Sequence, residues 1–431
     1  MPADPEGDGR PGGIARPTAY GWLVFALSFG LLISDYMARQ VLNAVFPLLK
    51  AEWTLSDGQL GALSGVVALM VGLLTFPLSL LADRWGRIRS LTIMAVLWSL
   101  ATLLCSLARN YEEMLVGRVL VGVGEAAYGS VGIAVVLSVF PVRMRATLAS
   151  AFIAGGLTGQ VLGVGIGGWI AQAHGWRTAF GAIALGGLAI ALLYPLVVRR
   201  ERIAALGGAT AAALQRPPIR SVFANRSVLC AYAGSGLQYY VAGALPAWLP
   251  SFFGRYYAMP VARAASMAAL FLLIAGAGMV LCGMLTDRLA RIRADAPPLL
   301  GAGFSLGSAV ALGLAFAVPP GPVQLSLLGL GAFLCAASTG PTGAMVANLT
   351  PLAIHGTAFA TLTLANNILG LAPGPFLTGR LADSLGLLGA LQLLPIPAVF
   401  AALAFALSRR TYLADLGLTP IAKTLSRIVK N

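Results

Sequence analysis

Long apolar runs separated by short polar breaks set the rhythm of the chain. Read from break to break, they fall at 20–49, 58–82, 90–108, 114–140, 146–172 and 177–198, then at 227–253, 261–286, 297–318, 323–350, 356–382 and 387–408. A helix needs roughly 20 apolar residues to cross a hydrocarbon core of about 30 Å. The pattern therefore predicts twelve transmembrane helices and an all-α integral membrane protein. A basic stretch rich in Ala, Gly and Pro, RRERIAALGGATAAALQRPPIR, follows the sixth run. It divides the chain into a tail 1–19, a six-helix bundle 20–198, a linker 199–226, a second six-helix bundle 227–408 and a tail 409–431.

Composition agrees: 58% of the 431 residues are hydrophobic and only 10% are charged, far from the mix of a soluble domain. The formal charge of +14 raises the question of nucleic acid, but its placement along the chain excludes that reading. Arg84, Arg87 and Arg89 follow the second run, Arg143 and Arg145 the fourth, and Arg288, Arg291 and Arg293 the eighth; further arginines fill the linker and the last tail. Such alternation is how short cytoplasmic loops are marked, and it places both termini in the cytoplasm. The first 18 residues lack the apolar centre of a signal peptide. The four cysteines lie inside apolar runs and suggest no disulfide framework. With two histidines and no metal-ligand spacing, no metal or cofactor is expected. GFSLG at 303–307 matches a nucleophile elbow in letters only, because it lies in a membrane helix rather than at a strand-to-helix turn. The chain does not read as an enzyme.

An internal repeat carries more information. LADRWGRIRS at 81–90 returns as LTDRLARIRA at 285–294, each just after the second run of its half. Duplicated membrane halves are the sequence mark of secondary transporters, whose halves rock about a site at the bilayer midplane. Asp83, Arg84, Gly86, Arg87 and Arg89, with their echo at Asp287, Arg288, Arg291 and Arg293, resemble the loop signature of the major facilitator superfamily. Arg39-Gln40, LSDGQLGALSG, RVLVGVGEAAYGS, WRTAF and HGTAFATLTLANNILGLAPGP are similar to the spinster-like branch and its bacterial relatives. The resemblance implies two pseudo-symmetric halves, alternating access and commonly proton coupling. It also implies a multi-pass protein of a bacterial inner membrane, a monomer whose partners are protons, lipid and a small-molecule or lipid substrate. Spinster-like proteins place the first-helix aspartate directly before Arg-Gln. Here that position is Ala38, and Asp35 stands one turn earlier.

An ionised group at the bilayer centre costs at least roughly 2.5 to 3.5 kcal/mol on insertion scales, so it normally faces a bundle interior or a watery cavity. The first half holds Asp35, Arg39, Arg118 and Glu125 within its runs. Glu125, among the glycines of GVGEAAYGS that leave space around it, is the expected main proton site and Asp35 the second. Arg39 serves as their counter-charge or as a forked donor to an anionic headgroup. Arg118, Gln238, Tyr239 and Asn367 are the other expected substrate contacts, and Trp248 reads as an interfacial anchor. Asp83, Arg84, Arg87, Asp287 and Arg288 form a candidate conformational latch at cytoplasmic helix ends. These residues lead to a proton-coupled transporter of an amphiphile such as a lysophospholipid. The alternative is a symporter of a small organic anion such as an aromatic carboxylate.

Overall fold

The computed structural model describes residues 18–141, 144–199, 223, 225–351 and 354–417. Most of the expected tail 1–19 and linker 199–226, the end of the tail 409–431 and the Asp83 side chain lie outside the described residues. The first half contains α1 (Ala19–Trp53), α2 (Asp57–Trp85), α3 (Arg87–Leu107), α4 (Tyr111–Glu125), α5 (Tyr128–Ser138), α6 (Arg145–His174) and α7 (Trp176–Val197). The second contains α8 (Arg226–Tyr256), α9 (Val261–Ile292), α10 (Ala296–Ala317), α11 (Pro322–Ala337), α12 (Thr339–Leu349) and α13 (His355–Ala365). A π-helical segment (Asn366–Leu371), α14 (Pro373–Gln392) and α15 (Pro395–Asp415) complete it.

Among the described residues, nine helices or helix pairs are long and apolar enough to cross a membrane, with α4–α5 and α11–α12 each forming one crossing. The helix α8 is less apolar because much of it, from Ser227 to Phe253, is buried in the bundle and not offered to lipid. The stretch His355–Asp415 bends by 51° between Gln392 and Pro395, and its helix is also divided at Gly386, where φ is 74°. Counted so, the chain makes the twelve crossings of two pseudo-symmetric halves.

Within the eleventh crossing, Pro373 has no N–H to continue an α-helical ladder. The chain widens there into a π turn, closed by Ala372 N–H donating to Asn367 O at 2.9 Å. Gly386 also ends a local echo: Leu381-Ala382-Asp383 precedes it as Leu81-Ala82-Asp83 precedes Gly86, whose φ is 93°. A side chain other than glycine is strained at either turn.

The halves are tied together at one end. Ser56 and Gln59 form a capping box at the start of α2. Asp383, reaching across from the other half, accepts from Asp57 N–H at 2.7 Å and Gly58 N–H at 3.0 Å. Arg255 grips the Asp57 carboxylate with both terminal nitrogens, at 2.7 and 2.6 Å, and Lys50 joins it at 2.5 Å. Beside this cluster Gln172 Oε1 accepts from Ala262 N–H at 2.7 Å, joining α6 to α9. Below it Trp248 lies against Phe46, with ring centroids 5.3 Å apart, and donates to Pro375 O at 3.1 Å. Trp248 is therefore not the interfacial anchor expected: it is fully buried in the seam, its N–H satisfied by Pro375 O in the first turn of α14.

Close contact of α2 with α14 depends on two glycines. A Cβ at Gly61 would stand 2.3 Å from Pro375 O, and one at Gly65 2.3 Å from Ala372 O. Gly61→Val should force the tied end apart, at an overpacking cost of about 1–3 kcal/mol. Spin labels at Ala51 and Arg263 should then show a longer separation. An unchanged distance distribution would count against the seam as the closure.

Candidate functional site

The site starts from the spacing of polar residues on α1. Tyr36, Arg39, Gln40 and Asn43 fall at i, i+3, i+4 and i+7, so they share one helix face. All four line a cavity of about 390 Å³ between the halves. Ser64, Arg118 and Gln160 extend the wall in the first half, and Tyr239 and Thr339 face it from the second with apolar neighbours such as Phe271 and Met279. The amides form a chain: Gln40 donates to Gln160 at 3.3 Å, Asn43 to Gln40 at 2.6 Å, and Ser64 to Asn43 at 3.1 Å.

Arg39 connects that wall to two carboxylates behind it. Its Nε lies 2.6 Å from Glu125 Oε2 and 3.7 Å from Asp35 Oδ1. Neither contact is aligned as a hydrogen bond, so both are charge contacts. The carboxyl groups of Asp35 and Glu125 are also within reach of each other. Both are buried and neither lines the cavity, whereas the Arg39 side chain is 19% exposed and packs over Tyr36, 5.3 Å from the ring centroid.

Glu125 is the last residue of α4; the helix breaks at Ala126 and Ala127 before α5 begins. Of the glycines in GVGEAAYGS, Gly129 has open space beside it, but Gly122 and Gly124 serve a different purpose from the one read in the sequence. A Cβ at Gly124 would stand 2.7 Å from Trp98 N, and one at Gly122 2.9 Å from Val67 O. They bring α4 against α3 and α2 rather than leaving room around the acid.

Arg118 is 1% exposed and binds backbone. Its Nε donates to Leu63 O at 3.2 Å, and its terminal nitrogens donate to Ala38 O at 2.9 Å and Arg39 O at 3.3 Å. It thereby joins α4 to α1 and α2 directly beside Arg39. The formal charges of Asp35, Glu125, Arg39 and Arg118 cancel.

The remaining expected contacts fall in two places. Tyr239 faces the cavity. Gln238 and Asn367 lie behind its wall, buried, donating to Cys335 O at 3.4 Å and Thr363 O at 2.8 Å. Their side-chain oxygens have no hydrogen-bond partner among the described residues. At the opposite end of the bundle from the tied seam, Arg84, Arg87, Asp287 and Arg288 are exposed. Ion pairing near the latch echo centres instead on Asp295, which accepts from Arg293 and, at 2.9 Å, from Arg409. Hydrogen bonding to Arg293 holds the Asp295 carboxyl below its ordinary pKa, and Arg409 acts in the same direction. The sequence reading passed over Asp295. It also passed over Tyr36, Asn43 and Ser64, although the spacing of 36, 39, 40 and 43 was available to mark the face.

Comparison with known proteins agrees with this architecture. The chain is 28% identical over 305 residues to a gallate transporter of Pseudomonas putida, a match covering 63% of this chain and 67% of that protein. A probable L-galactonate transporter of Escherichia coli (strain K12) is 27% identical, but the match spans only 61% of its length. Protein spinster homolog 1 of Bos taurus is 26% identical over 414 residues, covering 89% of this chain and 77% of that one. Among solved structures, a bacterial homologue of the human lysosomal transporter spinster, in an inward-facing and occupied conformation, has a TM-score of 0.83 at 19% identity. That match covers 93% of this chain and 99% of the other. These relatives are transporters, not enzymes, and the chain is similar to the spinster-like branch among them. A profile of the Major Facilitator Superfamily matches residues 27–337, and with the twelve crossings in two halves around a central cavity this chain belongs to that superfamily of membrane transporters.

Proposed function

We propose that the protein is a proton-coupled secondary transporter of a small organic anion bearing a carboxylate, working by alternating access. The observation that carries this reading is the position of Arg39, which faces the cavity while its Nε touches Glu125 at 2.6 Å. A substrate carboxylate in the cavity competes with Glu125 for the same guanidinium.

Charge balance turns that competition into coupling. With all four groups ionised the cluster is formally neutral, and an entering monoanion leaves it one negative charge in excess. An uncompensated buried charge is expensive, and a proton on Glu125, with Asp35 as the second acceptor, removes it. Substrate and proton then travel together, one for one, with no net charge moved. A cavity of about 390 Å³ lies toward the small end of the roughly 300–1,000 Å³ typical of small-molecule sites. Tyr239 and the amide chain supply polar contacts for the body of such an anion. Gln238 and Asn367 act from behind the wall, and Arg118 supports the backbone that presents Arg39.

The arginine-rich loops are taken as cytoplasmic in a bacterial inner membrane, so the end tied by Asp57, Arg255 and Asp383 is external and this state opens inward. In the opposite state Asp83, Arg84, Arg87, Asp287 and Arg288 latch the cytoplasmic end. The gallate and galactonate transport named for two relatives favours the organic anion. The match to a spinster homologue over most of the chain, together with the apolar face around Phe271 and Met279, favours a second reading, an amphiphile whose headgroup occupies the cavity.

Purified protein in liposomes with a trapped pH dye separates these readings, using gallate and a lysophospholipid as probes. An inward proton gradient should drive gallate uptake, with dye acidification and no response to a membrane potential. Acidification by lysophospholipid alone would reverse the order. Glu125→Gln should lose gradient-driven uptake by about 100-fold while retaining gallate exchange at equal pH; full gradient dependence in this variant would falsify its coupling role. Arg39→Lys keeps the charge but loses the planar fork, and should weaken gallate binding by at least about ten-fold in calorimetric titration. Unchanged affinity would remove Arg39 from the binding site.

A further inference from the structure

At the level of Asn43 the substrate cavity has two unlike walls. The helices α1 and α8 run in the same direction, because Lys50 in the last turn of one and Arg255 in the last turn of the other meet at Asp57. The contact of Phe46 with Trp248 sets their register. Asn43 and Leu245 each stand three residues before that contact and both line the cavity, so they face it at one level. The first-half wall there is the amide chain of Gln40, Asn43 and Gln160 with Ser64. The second-half wall is Leu245, Pro246, Leu249, Phe271 and Leu272, without a polar side chain.

Hydrogen-bond counting shows what the amide wall has left to offer. Its three amides carry six N–H groups and three oxygens with two lone pairs each. The chain uses two N–H groups, from Gln40 and Asn43, and one lone pair on each oxygen, that of Asn43 accepting from Ser64. Four N–H groups therefore remain without an acceptor among the described residues, beside a spare lone pair on each oxygen. Turning all three amides over still leaves three N–H groups. A hydroxyl accepts and donates at one atom, so it uses both kinds of vacancy; a carboxylate only accepts and an ammonium only donates. Among the described residues, the cations on the cavity wall are Arg39 and Arg118, and Arg118 is committed to three backbone carbonyls.

About 6 Å of helix rise separates Arg39 from Asn43, comparable to a benzoate measured from its carboxyl carbon to a hydroxyl on the far side of the ring. We propose that the anion is a planar hydroxyaromatic monocarboxylate: its carboxylate lies on Arg39, its hydroxyl-bearing edge on the amides of Gln40, Asn43 and Gln160, and its bare edge against Leu245 and Phe271. The proposal rests on the organic-anion reading above and does not depend on proton coupling. Three other classes of anion fit these walls worse. Benzoate turns a C–H edge to the amides and leaves their N–H groups unmet, which costs more than a made bond gains. Isophthalate brings a second charge to a wall with no cation to spare. Galactonate carries hydroxyls on every side, and those turned to the apolar wall lose water without finding a partner.

Calorimetric titration of the full chain in nanodiscs tests this with protocatechuate, whose two hydroxyls are adjacent on one edge, against benzoate, isophthalate and galactonate. Protocatechuate should bind about ten-fold or more tighter than each of the others. Asn43→Leu keeps the bulk of the side chain and removes its amide, and should bring protocatechuate and benzoate together. Gln160→Leu, a second variant on a different helix, should lower the same ratio. The ratio is read in one preparation, and a general loss of packing weakens both ligands without closing the gap between them. Benzoate, isophthalate or galactonate binding the unaltered chain as tightly as protocatechuate, or a ratio untouched by either variant, overturns the hydroxyl-reading wall and leaves the carboxylate on Arg39 standing. If none of the four binds and a lysophospholipid does, the organic-anion reading fails and this proposal fails with it.

Discussion

Two carboxylates and two guanidiniums share one compartment at the centre of the first half, and their formal charges sum to zero. Much of the local architecture serves to keep that balance away from lipid. One turn apart on the same side of α1, Asp35 is buried in the bundle behind the cavity wall and Arg39 reaches the cavity itself. The helix α4 stops at Glu125, placing its carboxylate at the contact, and Arg118 is held by three backbone carbonyls. Removal of any one charge leaves its partners buried and uncompensated, a far larger penalty than the loss of a surface pair. The coupling proposed above rests on the same constraint, because a negative charge added to the compartment stays uncompensated unless a proton accompanies it.

The fold was legible because lipid imposes coarse rules. Long apolar runs and the repeated LADRWGRIRS segment mark the spans and the duplication without any knowledge of packing, and arginines in alternate loops give the expected sidedness. The intramembrane charges were legible for a related reason: each stands out against its run. What stayed hidden depends on which face of a helix meets which neighbour. Gln238 sits one residue from the cavity-facing Tyr239 and Asn367 lies within the π turn, and only the packing decides that both turn behind the wall. Trp248 looked interfacial because tryptophan usually is, yet Pro375 O, in the first turn of α14, accepts its N–H within the buried seam. Gly122 and Gly124 near Glu125 read as space and prove to be contact surface.

The two membrane faces also share a device that the repeat in the sequence shows only on one side. Asp383 and Gly386 reproduce at the tied end the spacing of Asp83 and Gly86 at the other. There, the carboxylate caps a helix start belonging to the opposite half, a use of exposed N–H groups that needs no partner side chain and is released as a unit when the halves part.

The π turn at Asn366–Leu371 has a mechanical corollary. Its counterpart in the first half, α6, runs for 30 residues without interruption. One of the two long seams between the halves is therefore borne by a continuous rod and the other by a rod with a wide joint at its middle. Under a rocking motion the first behaves as an axle, and bending concentrates in the second, beside the cavity. The duplicated halves thus form an unequal pair of levers, with compliance placed in the half that gives the cavity wall no charged side chain.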